Sequence, residues 1–215
     1  MKILALEFST ARRTVAVGDS DAACARRLED ASPRRGAFAA IDEVLREAGL
    51  EREQVDCLTV GLGPGSYNGV RSAIAIAQGW ELARGTRLCG VSSAEAIARD
   101  AQLARCFGDV STVIDAQRGE FYLGRYRIDA GGFAEREPLR IATMDEVKAL
   151  AQSNEIMVGP EADRWFPTAR PMWPQAAGLV SLAARCGKFT PGEKLEPIYL
   201  REVNFVKAPP PRAIV

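Results

Sequence analysis

Apolar residues dominate two short runs near the N-terminus, Lys2 to Phe8 and Thr14 to Val17, with the polar Ser9-Thr10-Ala11-Arg12-Arg13 between them. That pattern predicts a β-hairpin. Ala22 to Leu28 reads as a third strand. The period then changes: Phe38, Ile41, Val44, Leu45 and Ala48 recur at helical spacing, and Gly49 supplies the stop. Val55 to Leu62 is a strand running into the loop Gly61-Leu62-Gly63-Pro64-Gly65, after which a long helix is expected over Asn68 to Arg84. Arg87 to Val91 is a strand, and Ser92 and Ser93 cap a helix reaching about Arg105, with Glu95 in its first turn.

Near the midpoint the pattern restarts. Ser111 to Asp115 is a strand, Ala116-Gln117-Arg118-Gly119 a turn, and Glu120 to Arg127 a second strand. As in the first hairpin, an apolar strand ends in a carboxylate (Glu7 there, Asp115 here), and an arginine-containing turn follows. This points to an internal duplication. Thr143 to Gln152 and Pro174 to Lys188 read as helices, the latter with Leu179, Leu182, Ala183 and Cys186 on one face, and Ile156 to Val158 as a short strand. The proline-rich tail from Ala208 is expected to be mobile. Two abutting α/β domains, residues 1–107 and 108–215, are the predicted organisation.

Composition narrows the chemistry. The chain has 215 residues, 47% of them hydrophobic, with 28 basic and 28 acidic side chains. This length supports a core without staples, and zero formal charge argues against a stand-alone nucleic-acid binder. There is no histidine, which removes Ser-His-Asp triads, Cys-His pairs and the common zinc and iron ligand sets. The five cysteines form no CxxC and sit among apolar residues, as reduced core thiols do in a cytoplasmic protein. Neither a signal peptide nor a membrane span is written here.

Four features are candidates for function. Gly63, Gly65 and Ser66, with Arg71 and Asp115, are candidate phosphate contacts, because glycines let backbone amides approach an anion before a helix N-terminus. A tight packed turn explains the same glycines. Glu7 and Asp115 either hold a metal or orient water, or are simply polar strand ends. The helix from Val70 to Ala83 is apolar nearly all round, and Ala73, Ala75, Ala77 and Gly79 would let another helix approach closely. Its cover is either other helices of this chain or another subunit. The doublets Arg12-Arg13, Arg26-Arg27 and Arg34-Arg35, with Arg118, Arg201, Lys207 and Arg212, are either a patch for RNA or a partner, or solvated surface.

Taken together, Ile3-Leu4-Ala5-Leu6-Glu7, Gly63-Pro64-Gly65-Ser66-Tyr67-Asn68-Gly69-Val70-Arg71, Gly90-Val91-Ser92-Ser93, Asp115-Ala116-Gln117-Arg118-Gly119-Glu120-Phe121-Tyr122 and Pro197-Ile198-Tyr199-Leu200-Arg201 resemble the TsaB (YeaZ) family. The resemblance implies a duplicated actin/Hsp70/sugar-kinase-like (ribonuclease-H-like) fold with a reduced second domain. It also implies a cytoplasmic, non-catalytic partner of TsaD, in the complex that makes threonylcarbamoyladenosine beside the tRNA anticodon. A TsaE-type ATPase joins the larger complex, tRNA is met only through it, and the chain alone forms a homodimer. No cofactor or metal is expected on this chain alone, with ATP or ADP and magnesium in the complex. The family pairs through its first helix and the helix after the glycine loop, which here implicates Phe38, Ile41, Leu45, Val70, Ala73, Ile74, Ala77 and Trp80. Three departures stand out: Glu7 and Phe8 replace Asp-Thr, Arg35-Gly36-Ala37 stands where a histidine is often found, and the second domain is short. The competing expectation is an ATPase or small-molecule kinase of the same fold.

Overall fold

The computed structural model describes residues 1–19, 26–30, 36–153 and 155–201. Cys24, Arg34-Arg35 and the tail from Ala208 lie outside them. β1 (Lys2–Glu7) and β2 (Arg13–Asp19) form the expected antiparallel hairpin, with Glu7 opposite Thr14. β3 (Arg26–Asp30) extends it antiparallel, whereas β4 (Cys57–Gly61) and β5 (Arg87–Val91) add in parallel, giving the order β3-β2-β1-β4-β5. The second sheet repeats that plan. β6 (Gly108–Asp115), β7 (Glu120–Ile128) and β8 (Phe133–Thr143) are antiparallel, and β9 (Ile156–Gly159) and β10 (Arg170–Pro171) join in parallel, in the order β10-β9-β6-β7-β8. The two sheets have equivalent topology, so the duplication and the actin/Hsp70/sugar-kinase-like class are present. β8 and β10 had no counterpart in the sequence pattern.

Alternation along β1 decides what covers each face of the first sheet. Leu4 and Leu6 face α1 (Ala37–Glu47) and α2 (Tyr67–Arg84), and Ile3 and Ala5 face α5 (Ala176–Cys186). α3 (Ser93–Leu103) lies on the second sheet, where Ile97 and Ala101 meet Val110, Ile128 and Val158. The other face of that sheet carries α4 (Met144–Ala151), whose Thr143–Glu146 capping box starts the helix where the sequence placed it. α3 and α5 therefore lie between the sheets. The expected division at residue 107 separates the strands of the two sheets but not the packing. Apolar Ala176, Leu179, Val180 and Ala183 bring α5 back to the first sheet, and Leu195 joins the α1–α2 core. Cys186, expected on the packed face, is exposed, while Cys57, Cys89 and Cys106 are buried.

Close backbone contact sets the loop between β4 and α2. A Cβ on Gly61 would stand 2.0 Å from Glu7 Oε2, one on Gly65 2.1 Å from the Ser9 carbonyl, and one on Gly69 2.0 Å from the Phe8 carbonyl. Only hydrogen fits at these three positions. Glu7 is fully buried at the end of β1; its Oε1 accepts from the Ser9 amide (2.8 Å) and its Oε2 from Ser93 Oγ (2.9 Å). Burial pushes its carboxyl above the usual value of 4.5, against the hydrogen bonds from Ser9 and Ser93, which pull it down.

Two outcomes are expected. Gly69→Ala should destabilise the protein by about 2–3 kcal/mol through overpacking, whereas Gly79→Ala, at a helical position with nothing within 4 Å of the added carbon, should stabilise it by about 0.5–1 kcal/mol; urea unfolding measures both. A carboxyl whose folded value is raised binds its proton more tightly when folded. Its stabilising contribution is complete below pH 4.5 and is lost as pH rises through the folded value. The stability of Glu7→Gln relative to the parent should therefore increase between about pH 4 and pH 8, and a decrease would show that the fold favours the carboxylate.

Candidate functional site

Ser66 begins α2 as its N-cap, accepting from the Gly69 amide (3.3 Å), and Gly85 closes it in the left-handed region at φ 67°. Between these caps the helix has two unlike faces. Val70, Ala73, Ile74, Ala77 and Trp80 are buried against their own sheet, and Ile41 and Leu45 of α1 join the same core. Seven of the eight residues expected at an interface thus point inward; Phe38 alone is exposed, at 57%. The physical reason is that the stripe carrying Val70, Ile74 and Trp80 is the one that lies over the sheet, where its apolar area is removed from water.

The outer face consists of Tyr67, Arg71, Ser72, Ala75, Gly79, Leu82 and Ala83. Leu82 is 91% exposed. A glycine in a helix interior costs about 1 kcal/mol relative to alanine, and no contact among the described residues makes use of the missing carbon of Gly79. Ala75 and Gly79 are the members of the small-residue run that do face out. Leu82 escaped the sequence argument, although its place one turn beyond Gly79 was legible.

The glycine loop turns its donors inward. The Gly63 amide donates to Ser93 Oγ (3.2 Å), the Ser66 amide to the Ser9 carbonyl (2.6 Å), and the Leu62 amide to Val91 (2.8 Å). Gly65, at φ 152°, is packed on Ser9. Arg71 instead donates to the Tyr67 hydroxyl. Asp115 is exposed and accepts from the Gln117 amide (2.7 Å) within its own turn, so each of the two equivalent carboxylates is engaged in its own hairpin. Among the described residues, no cluster of three or more cysteine, aspartate or glutamate side chains is arranged to hold a metal. Of the basic doublets, Arg12 lies over the Trp173 ring at 3.4 Å and Arg13 over Phe8 at 5.4 Å, so both cap aromatic rings. No helix among the described residues is long and apolar enough to cross a membrane.

The motifs at residues 115–120 and 197–201, separate in sequence, meet in space. Arg201 donates to the Ala116 carbonyl (2.9 Å) and to Glu120 Oε2 (2.6 Å). The Ile198 amide donates to the Leu62 carbonyl (2.8 Å), and Tyr199 stacks on Tyr67.

Comparisons with known proteins agree with this architecture. The family model described as "TsaD: tRNA N6-adenosine threonylcarbamoyltransferase" matches residues 35–164. The chain is 27% identical to the tRNA threonylcarbamoyladenosine biosynthesis protein TsaB of Escherichia coli, over 97% of this chain and 99% of that one. An uncharacterized Mycobacterium bovis protein is 34% identical, over 73% of this chain and 69% of its own length. Among solved structures, YeaZ from Pseudomonas aeruginosa superposes with a TM-score of 0.79 at 26% identity, covering 93% of this chain and 99% of that one. A second P. aeruginosa structure, described as similar to peptidase YEAZ, gives 0.80 at 27% identity, with the same coverage. With its sequence matched from end to end and its paired sheets superposed, this chain belongs to the TsaB (YeaZ) family.

Proposed function

We propose that the chain is a subunit without turnover of its own that binds a TsaD-type subunit through the Ala75–Gly79–Leu82 strip of α2 and supports threonylcarbamoyl transfer to tRNA. The names of its relatives and the matching family model support a role in tRNA threonylcarbamoyladenosine biosynthesis. The observation that carries the docking surface is the open strip Ala75–Gly79–Leu82, with Phe38 exposed on the neighbouring helix. Small side chains there permit a close helix–helix approach, and Leu82 and Phe38 supply apolar area to bury at roughly 25 cal/mol per Å². Without that partner the same strip serves a second copy of the chain. A TsaE-type ATPase and ATP or ADP with magnesium belong, in this proposal, to the assembled complex.

The absence of histidine removes the usual ligands and bases of peptidases and hydrolases. The kinase or ATPase alternative needs backbone donors free for phosphate, and in this loop the Gly63 and Ser66 amides are engaged by Ser93 and Ser9.

Gly79→Arg and Leu82→Asp should weaken association with the TsaD-type subunit of the same organism by at least about a hundredfold, with the thermal midpoint of the isolated chain unchanged; co-expression and size-exclusion chromatography measure this. Ala77→Arg, which buries a charge in the chain's own core, should instead prevent folding. Undisturbed co-elution of Gly79→Arg would overturn the docking surface. ATP turnover by the purified chain that disappears in Asp115→Ala would overturn the non-catalytic assignment.

A further inference from the structure

One end of α2 carries a second surface that docking through Gly79 and Leu82 does not use. Tyr67 and Tyr199 stack with ring centroids 5.4 Å apart and planes inclined by 29°, and each remains about half exposed (52% and 49%). The guanidinium of Arg71 lies 5.1 Å from the Tyr67 ring centre and donates to its hydroxyl. A groove of about 330 Å³ runs beside the pair, lined among others by Ile74, Gln78 and Pro197, and it reaches the docking strip at Ala75. Arg201 holds the neighbouring β6–β7 turn through the Ala116 carbonyl and Glu120, and in that turn Gln117 and Arg118 both have positive φ, 66° and 61°. Arg118 is exposed at the tip. Neither Arg71 nor Arg118 has an acidic partner among the described residues.

Exposed rings beside the guanidinium groups of Arg71 and Arg118 suit a ligand that offers both a flat π face and a phosphate. The unpaired nucleotides of a folded RNA have that chemistry. An acidic protein segment would satisfy the arginines and leave the rings unused. We propose that Tyr67, Tyr199, Arg71 and Arg118 contact unpaired nucleotides of tRNA when the chain is assembled with its TsaD-type subunit, an inference that rests on the function proposed above. The ring pair lies roughly 18 Å along the helix axis from Gly79, so one helix serves both partners. A chain of zero net formal charge has little long-range attraction for RNA by itself, which is why the surface acts on RNA brought by the complex.

The test uses the assembled complex and a fluorescently labelled tRNA transcript, with affinity measured across a salt series and assembly followed by size exclusion. Tyr199→Ala should weaken tRNA binding about tenfold, and Tyr199→Phe, which keeps the stacking face, should restore it. Arg118→Ala should make the salt dependence shallower by roughly 0.7–0.9 in log–log slope, the loss of one phosphate contact. Unchanged affinity and slope in an intact complex would overturn the inference while leaving the proposed function standing. Dissociation of the subunits by Tyr199→Ala or Arg118→Ala would also overturn it, assigning these side chains to the protein interface. Failure of the parent chain to assemble with the TsaD-type subunit would instead remove the function on which it rests.

Discussion

Everything near the β4–α2 loop depends on the absence of side chains at Gly61, Gly65 and Gly69. The segment Glu7-Phe8-Ser9 fills the space that a Cβ would take at each, and its atoms come within about two ångströms of where those carbons would stand. That contact fixes where α2 starts, and therefore which of its faces meets the sheet. It also uses the loop for structure: the Leu62, Gly63 and Ser66 amides, the groups able to donate to an anion, are joined to Val91, Ser93 and Ser9. Glu7 sits at the centre of this arrangement, buried, and held by donors that only partly offset its desolvation.

The same constraint explains the division of labour along α2. With its register fixed, Val70, Ile74 and Trp80 fall over the sheet, and Ala75, Gly79 and Leu82 fall outside. The inner residues contribute to the core, and the outer ones are exposed.

Much of this was legible in the sequence. The hairpins, the strand into the glycine loop, the serine cap of α3, the extents of α2 and α4 and the duplication all follow from short-range patterns that the structure preserves. β8 was not legible because it is an edge strand with Glu135, Arg136, Glu137, Pro138 and Arg140 along it, and charges and proline are what edges carry to avoid pairing with other chains. The direction of α2 was not legible either. Apolar periodicity shows that a residue prefers burial but not which neighbour buries it, so the inward stripe was mistaken for the exposed one. The meeting of residues 197–201 with the β6–β7 turn depends on a long-range return of the chain that no local pattern encodes.

That return has a consequence for how the protein is made. The first sheet is covered on one face by α1 and α2, with Leu195 added from the far half, and on the other by α5, a helix that follows every strand of the second sheet. A nascent chain therefore holds the strands of its first sheet, with α1 and α2 over one face, before it holds the helix that buries the other. Full burial of the first sheet therefore waits for α5, and follows the synthesis of the second sheet instead of preceding it.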